Sequence, residues 1–112
     1  MIIGIGVDAV DIARFETSLE RTPGLRERLF TEAERELTIA SLAARFAAKE
    51  AVAKALALEA WAFQDVEIVA TATAPEVRLS GAAAQRAEEL GAHPRISLTH
   101  TRDTAAAVAF LA

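Results

Sequence analysis

The stretch SLAARFAAKEAVAKALALEA at 41–60 contains neither glycine nor proline and is built almost wholly from strong helix formers. Small apolar residues (Ala47, Ala48, Ala51, Ala53, Ala55) flank its charged positions on nearly every side, the pattern of a helix buried around most of its circumference. A chain of 112 residues has a single core to offer such a helix. The remaining segments must therefore wrap it, which makes 1–112 one domain. A hydrophobic fraction of 53% excludes a disordered chain, and aromatics at only 5% mean that alanine and aliphatic side chains fill the core.

Around this helix the hydrophobic period changes several times. Residues 2–7, IIGIGV, form a short apolar run bounded by Asp8 and suit a buried strand. From Asp11, a plausible N-cap, Ile12, Phe15 and Leu19 recur at helical spacing until Thr22-Pro23-Gly24 stops the pattern. Thr31 and Glu34 have capping-box spacing and predict the start of a second, short helix. Beyond Trp61 the period shortens to two. Val66, Ile68 and Ala70, then Val77 and Leu79, predict a hairpin turning near Ala74-Pro75. An alanine-rich helix at 81–91 closes on Gly91, and strands at 95–101 and 105–111 complete the chain. The order β-α-α-α-β-β-α-β-β pairs strands that are neighbours in sequence, so the expected class is α+β, a mainly antiparallel sheet packed with helices.

Composition removes several functions. With no cysteine there is no disulfide, thiolate metal site or cysteine nucleophile, and a reducing compartment is expected. The N-terminal MIIGIGVDAV has no basic region and is interrupted by Asp8, so neither a signal peptide nor a membrane span is expected, and the expected location is cytoplasmic. A formal charge of −4 without a Lys/Arg run argues against nucleic acid as a partner. Serine, histidine and aspartate lack any nucleophile-elbow spacing, so a hydrolase is not expected.

Two constellations remain. Gly4-Ile5-Gly6-Val7-Asp8-Ala9 satisfies a dinucleotide-binding fingerprint, but Asp8 would set a carboxylate inside a phosphate cradle, and no second parallel strand follows. That reading is rejected. In the central helix Phe46, Glu50 and Lys54 fall on one stripe, with Arg45 one residue aside. An exposed Glu–Lys pair is the ordinary explanation. A carboxylate and an ammonium on a largely buried helix, however, need partners. Asp8 with Glu50 would supply the two carboxylates a magnesium ion commonly takes, and Lys54, one turn on, could meet a phosphate. His100, in a strand of hydroxyl residues, reads locally as a hydrogen-bonded structural histidine.

Four blocks in order, GIGVDAVDIARFE at 4–16, LFTEAE at 29–34, ARFAAKEAVAKAL at 44–56 and ISLTHTRDTAAAVA at 96–109, resemble the signature blocks of the holo-acyl-carrier-protein synthases, the small trimeric 4′-phosphopantetheinyl transferases. The resemblance implies that family's fold and a magnesium-dependent transfer of phosphopantetheine from coenzyme A to a serine of an acyl carrier protein, releasing adenosine 3′,5′-bisphosphate. It also implies roles. Asp8 and Glu50 match the metal-binding and catalytic carboxylates, and Lys54 matches a catalytic lysine near the coenzyme A phosphates. Arg45 and His100 match positions close to the adenosine bisphosphate part, while Arg14 and Arg21 match basic residues that meet the acidic recognition helix of the carrier. Either Glu50 or a water held by the metal takes the serine proton. The family implies a homotrimer with sites between subunits. Against its pattern, Ala57-Leu58-Glu59-Ala60 stands where a glycine-rich loop precedes the tryptophan, the spacer before ARFAAKEA is short, and the hairpin near Pro75 lacks its glycine. A non-catalytic module that docks the carrier without transfer is the alternative reading.

Overall fold

A computed structural model describes all residues from Met1 to Ala112. Strand β1 (Gly4–Asp11) leads into α1 (Ile12–Arg21), α2 (Leu25–Leu29) and the long α3 (Ile39–Leu56). A 3-10 turn (Phe63–Asp65) then precedes β2 (Val66–Val69), β3 (Glu76–Leu79), α4 (Gly81–Leu90), β4 (Pro94–His100) and β5 (Thr104–Leu111). All strand pairs are antiparallel: β1-β5-β4 form one sheet, and β2-β3 form the hairpin expected around Pro75. The class is α+β, as the alternation of periods implies. No helix is long and apolar enough to cross a membrane.

Eleven of the eighteen residues of α3 are buried, Lys49 among them. Its alanine and valine faces pack on the inner face of β1-β5-β4, where Ala107, Ala109 and Leu111 meet Ala48, Ala51 and Ala55. A second cluster forms where α1 and α2 fold back on the start of α3, through Phe15, Leu29, Phe30 and Leu42. The glycines that mimic a nucleotide fingerprint serve the first contact. A Cβ at Gly6 would lie 1.9 Å from the Ala51 carbonyl oxygen, and one at Gly4 would lie 2.3 Å from that of Ala55. Two strand residues advance about 6.8 Å and four helix residues about 6 Å, so the glycine pair keeps step with the helix carbonyls.

Local details depart from the sequence pattern in four places. The apolar run 2–7 is not a buried strand: β1 is covered on one face only, and Ile2, Ile3, Ile5 and Val7 are exposed. Strand β1 does not end at Asp8 but runs on to Asp11, because every residue from Gly4 to Asp11 finds a partner on β5. The capping box forms its bond, Thr31 N–H donating to Glu34 Oε1 at 2.9 Å, yet residues 31–37 make only turns. Glu34 is drawn inward instead. Its Oε1 also accepts from Lys49 Nζ at 2.8 Å and its Oε2 from the Ile68 amide at 3.0 Å, so the side chain ties α3 to β2. The short helix lies earlier, at α2, entered through Gly24 at φ 83°. At its C-terminus α3 stops at Leu56, short of Ala60, with Ala57 in the left-handed region at φ 54°. Asp11 caps α1 by accepting from the Arg14 amide, and Gly91 closes α4 at φ 63°, both as expected.

Because the β1–α3 contact is backbone against backbone, Gly6→Ala is expected to destabilise the protein by about 3 kcal/mol, at the high end for overpacking. Urea denaturation checks this. A loss within the scatter of ordinary surface substitutions would show that strand and helix are free to separate.

Candidate active site

Alternation along β1 turns Gly4, Gly6, Asp8 and Val10 toward α3 and leaves Ile5 and Val7 outside. The close approach licensed by the glycines therefore delivers Asp8 to the stripe of α3 that carries Glu50 and Lys54. Lys54 Nζ donates to the Val7 carbonyl at 2.9 Å and lies 3.5 Å from Asp8 Oδ1. The lysine side chain is 54% exposed, so this ion pair is loose and readily exchanged for another anion. Glu50 holds its proton more tightly than an ordinary glutamate. Loss of solvent is the main cause and the negative charge of Asp8 the second, with Lys54 opposing both.

Asp8 and Glu50 line a cavity of about 680 Å³ together with both polar and apolar residues. Asp11 and Arg14 add to its polar lining, and Phe15, Phe46 and Phe63 give it an aromatic wall. The rings make a continuous ladder: Phe15 and Phe46 are 5.3 Å apart, Phe46 and Phe63 stack at 5.3 Å with 6° between planes, and Trp61 lies 4.3 Å from Phe63. Arg14 and Arg21 also line one shallow depression on α1 with Ser18, so the two arginines share a face.

Arg45 and His100 stand elsewhere. Five residues separate Arg45 from Glu50, which turns it roughly 140° around the helix. It lines a separate cavity of about 180 Å³ with Glu34, Glu67 and Arg78, where its Nε is buried without a hydrogen-bond partner. His100 ends β4 on the inner face of the sheet, exposed, its Nδ1 3.3 Å from the Thr101 carbonyl oxygen. Strand β5 separates it from β1, a gap of about 10 Å. Sequence reasoning did not find the aromatic wall or Lys49, which is fully buried on Glu34. Phe15 and Phe46 carried helical spacing, but Phe63 and Trp61 arrive from an irregular segment with no periodicity to place them.

The donor set suits a hard divalent cation. Asp8 and Glu50 offer two carboxylates on a cavity with room for water and ligand oxygens, and magnesium typically takes one or two protein carboxylates. Loss of solvent and the charge of Asp8 both disfavour an ionised Glu50, and a cation between the two carboxylates would offset both.

Residues 4–109 match the sequence model of the 4′-phosphopantetheinyl transferase superfamily. The chain is 53% identical over 114 residues to the holo-[acyl-carrier-protein] synthase of Leifsonia xyli, covering 99% of this chain and 95% of that protein. It is 53% identical over 102 residues to that of Arthrobacter sp., covering 89% of each. Among solved structures, holo-[acyl-carrier-protein] synthase from Neisseria meningitidis superposes with a TM-score of 0.89 at 29% identity, covering 100% of this chain and 99% of that one. The Helicobacter pylori synthase in complex with coenzyme A superposes at 0.82 and 29% identity, covering 96% of this chain and 99% of that one. A family match over residues 4–109, identity above one half to relatives of near-complete mutual coverage and a shared fold leave one conclusion: this chain belongs to the 4′-phosphopantetheinyl transferase superfamily, in the family of the holo-[acyl-carrier-protein] synthases.

Proposed function

We propose that the chain is a holo-[acyl-carrier-protein] synthase, transferring 4′-phosphopantetheine from coenzyme A to a serine hydroxyl of an apo acyl carrier protein. The observation that carries this reading is the pairing of Lys54 with Asp8 beside a cavity that Asp8 and Glu50 both line, in a chain related to enzymes named for that reaction. Asp8 and Glu50 would hold Mg²⁺, which when bound neutralises charge on the pyrophosphate. Lys54 leaves the Val7 carbonyl to meet a phosphate oxygen. The serine oxygen bonds to the phosphorus that carries pantetheine, the pyrophosphate P–O bond breaks, and adenosine 3′,5′-bisphosphate departs. Glu50, kept ionised beside a cation, would accept the serine proton. Such a transfer asks the protein for positioning and charge neutralisation more than for covalent chemistry.

Two further readings rest on surfaces. Arg14 and Arg21 give an otherwise acidic chain a local basic face on α1, suited to the acidic recognition helix of a carrier. On the outer sheet face Ile5 and Val7 are 62% and 64% exposed, and their registers set them beside Phe110 and Val108. A contiguous apolar sheet face of this kind suits copies of the same chain, and the family resemblance makes the assembly a homotrimer with sites between subunits, where Arg45 and His100 serve the adenosine bisphosphate end of coenzyme A. A cysteine-free chain acting on these substrates belongs in the cytoplasm.

The decisive experiment incubates the protein with apo carrier, coenzyme A and Mg²⁺ and weighs the carrier by mass spectrometry. One added phosphopantetheine is expected, and Asp8→Asn and Glu50→Gln are each expected to remove most turnover while the fold persists. Retained carrier binding with no added mass would reduce the protein to a docking module. Stability carries a second signature. Because Glu50 binds its proton more tightly folded than unfolded, the stability it contributes is present below its ordinary value of 4.5 and lost as pH rises through the raised one. Glu50→Gln should therefore raise the melting temperature of the metal-free protein near neutrality but not below pH 4.5, and Mg²⁺ should raise that of the unsubstituted protein only. Arg14→Glu is expected to raise KM for the carrier several-fold, leave KM for coenzyme A unchanged and flatten the salt dependence of kcat/KM, since rim charges mainly steer association. Light scattering should return three times 11.9 kDa, and Val7→Asp should lower that mass. A fully active monomer would defeat the trimer.

A further inference from the structure

Lys49 is 0% exposed, one residue before Glu50 on α3, and its Nζ makes two bonds of different kinds. One is the ion pair to Glu34 Oε1 at 2.8 Å, and the other is a donation to the backbone carbonyl of Phe63 at 3.0 Å. An apolar residue of similar volume generally serves a core at least as well as a buried ion pair, so stability alone does not explain a lysine here. The Phe63 carbonyl is the informative partner. It lies in the irregular crossing from α3 to β2, where Glu59, Ala60, Ala62 and Gln64 are exposed. The Phe63 ring is the part of the cavity wall that stacks on Phe46. Gln64 holds the other side of this crossing by donating its amide to the Glu27 and Phe30 carbonyls. Lys49 ties the crossing's Phe63 backbone to α3, beside the Phe46–Phe63 ring stack.

We propose that Lys49 is a positioning residue for the reaction: its bond to the Phe63 carbonyl sets the Phe46–Phe63 wall at the distance from Asp8 and Glu50 that the pantetheine arm of coenzyme A requires. This rests on the transferase reading above. The arm begins at the reacting phosphorus, and the cavity that the two carboxylates line beside it is walled in part by Phe15, Phe46 and Phe63. Lys49 touches neither substrate nor metal. It acts through the backbone of the wall, and Glu34 neutralises its charge in a place without water.

The test uses Glu34→Gln/Lys49→Met, in which no charge is left buried alone and the glutamine oxygen can still accept from Ile68. Phe63→Ala keeps the pair and removes the ring, so the proposal stays open to test if the double variant is poorly stable. Trp61 is the single tryptophan and packs on Phe63, so its fluorescence reports the position of the crossing with no substrate present. The double variant should show emission shifted to the red and easier quenching by acrylamide. With substrates, KM for coenzyme A should rise several-fold, kcat should stay within about twofold and KM for the carrier should not move. Phe63→Ala should raise the same KM, and combining the three substitutions should add little, because the lysine works through that ring. Unchanged Trp61 quenching, additive effects, or a rise confined to the carrier's KM would each overturn the proposal. If the unsubstituted protein transfers no phosphopantetheine, the functional reading fails, while the fluorescence comparison still decides whether Lys49 holds the wall.

Discussion

The contact between the backbone of β1 and the carbonyls of α3 governs this structure. At Gly4 and Gly6 there is no room for even a Cβ, so strand and helix lie closer than side chains normally permit. Everything polar in the candidate site inherits its place from that seam. Asp8 follows Gly6 at the next inward position, and Glu50 and Lys54 bracket Ala51, whose carbonyl faces Gly6. A wider seam would move Asp8 away from both. The small side chains that make the core look poor in conventional packing material are thus what allow two carboxylates to face one another.

Two lysines on neighbouring turns of α3 show how burial separates structural from chemical use of the same side chain. Lys49 is sealed against Glu34 beneath the Phe30 ring, with its Nζ 5.5 Å from the ring centroid. Burial makes it release its proton more readily than an ordinary lysine, against the pull of Glu34 toward the charged form. Removing one partner of such a pair typically costs about 3–5 kcal/mol, because the other is left charged without solvent. Lys54 is half exposed, loosely placed beside Asp8, and worth roughly 0–1 kcal/mol in an ion pair of this kind. A fixed lysine organises the core. A loose one is free to follow an anion.

Much of the fold was legible because it depends on periodicity. The alternation in 66–79 and 95–111, the helix formers of 41–56 and the Gly91 stop all follow from residues that act locally. What was not legible depends on partners distant in sequence. Thr31 and Glu34 have a helix-start spacing and form its bond, but Lys49 and the Ile68 amide claim the carboxylate, and no local rule contains either residue. The glycines of GIGVDA likewise look like a phosphate turn until the helix they accommodate is known. For the site, the stripe of Glu50 and Lys54 was visible from spacing, and Asp8 stood out as a carboxylate without an evident cap to make. The wall facing them was not, since the Phe63 carbonyl is held by the Lys49 side-chain ammonium, a contact between residues 14 apart that no local periodicity encodes.

The same geometry explains why the residues matched to one reaction do not all meet within one copy of the chain. A helix of 3.6 residues per turn cannot present Arg45 and Glu50 to one cavity, and a three-stranded sheet with β5 at its centre holds His100 two strands from Asp8. Coenzyme A is long, with a reacting pyrophosphate at one place and a charged adenosine end well away from it, so a small domain has two ways to grip both. It can grow loops, or it can borrow surface from a second copy. This chain is short where loops are expected, with α3 closing on Ala57 and β2-β3 turning without glycine, while its outer sheet face carries exposed Ile5 and Val7. Under the proposed assembly, economy of loops and an uncovered apolar face become two aspects of one solution, a second copy supplying the reach that the single domain lacks.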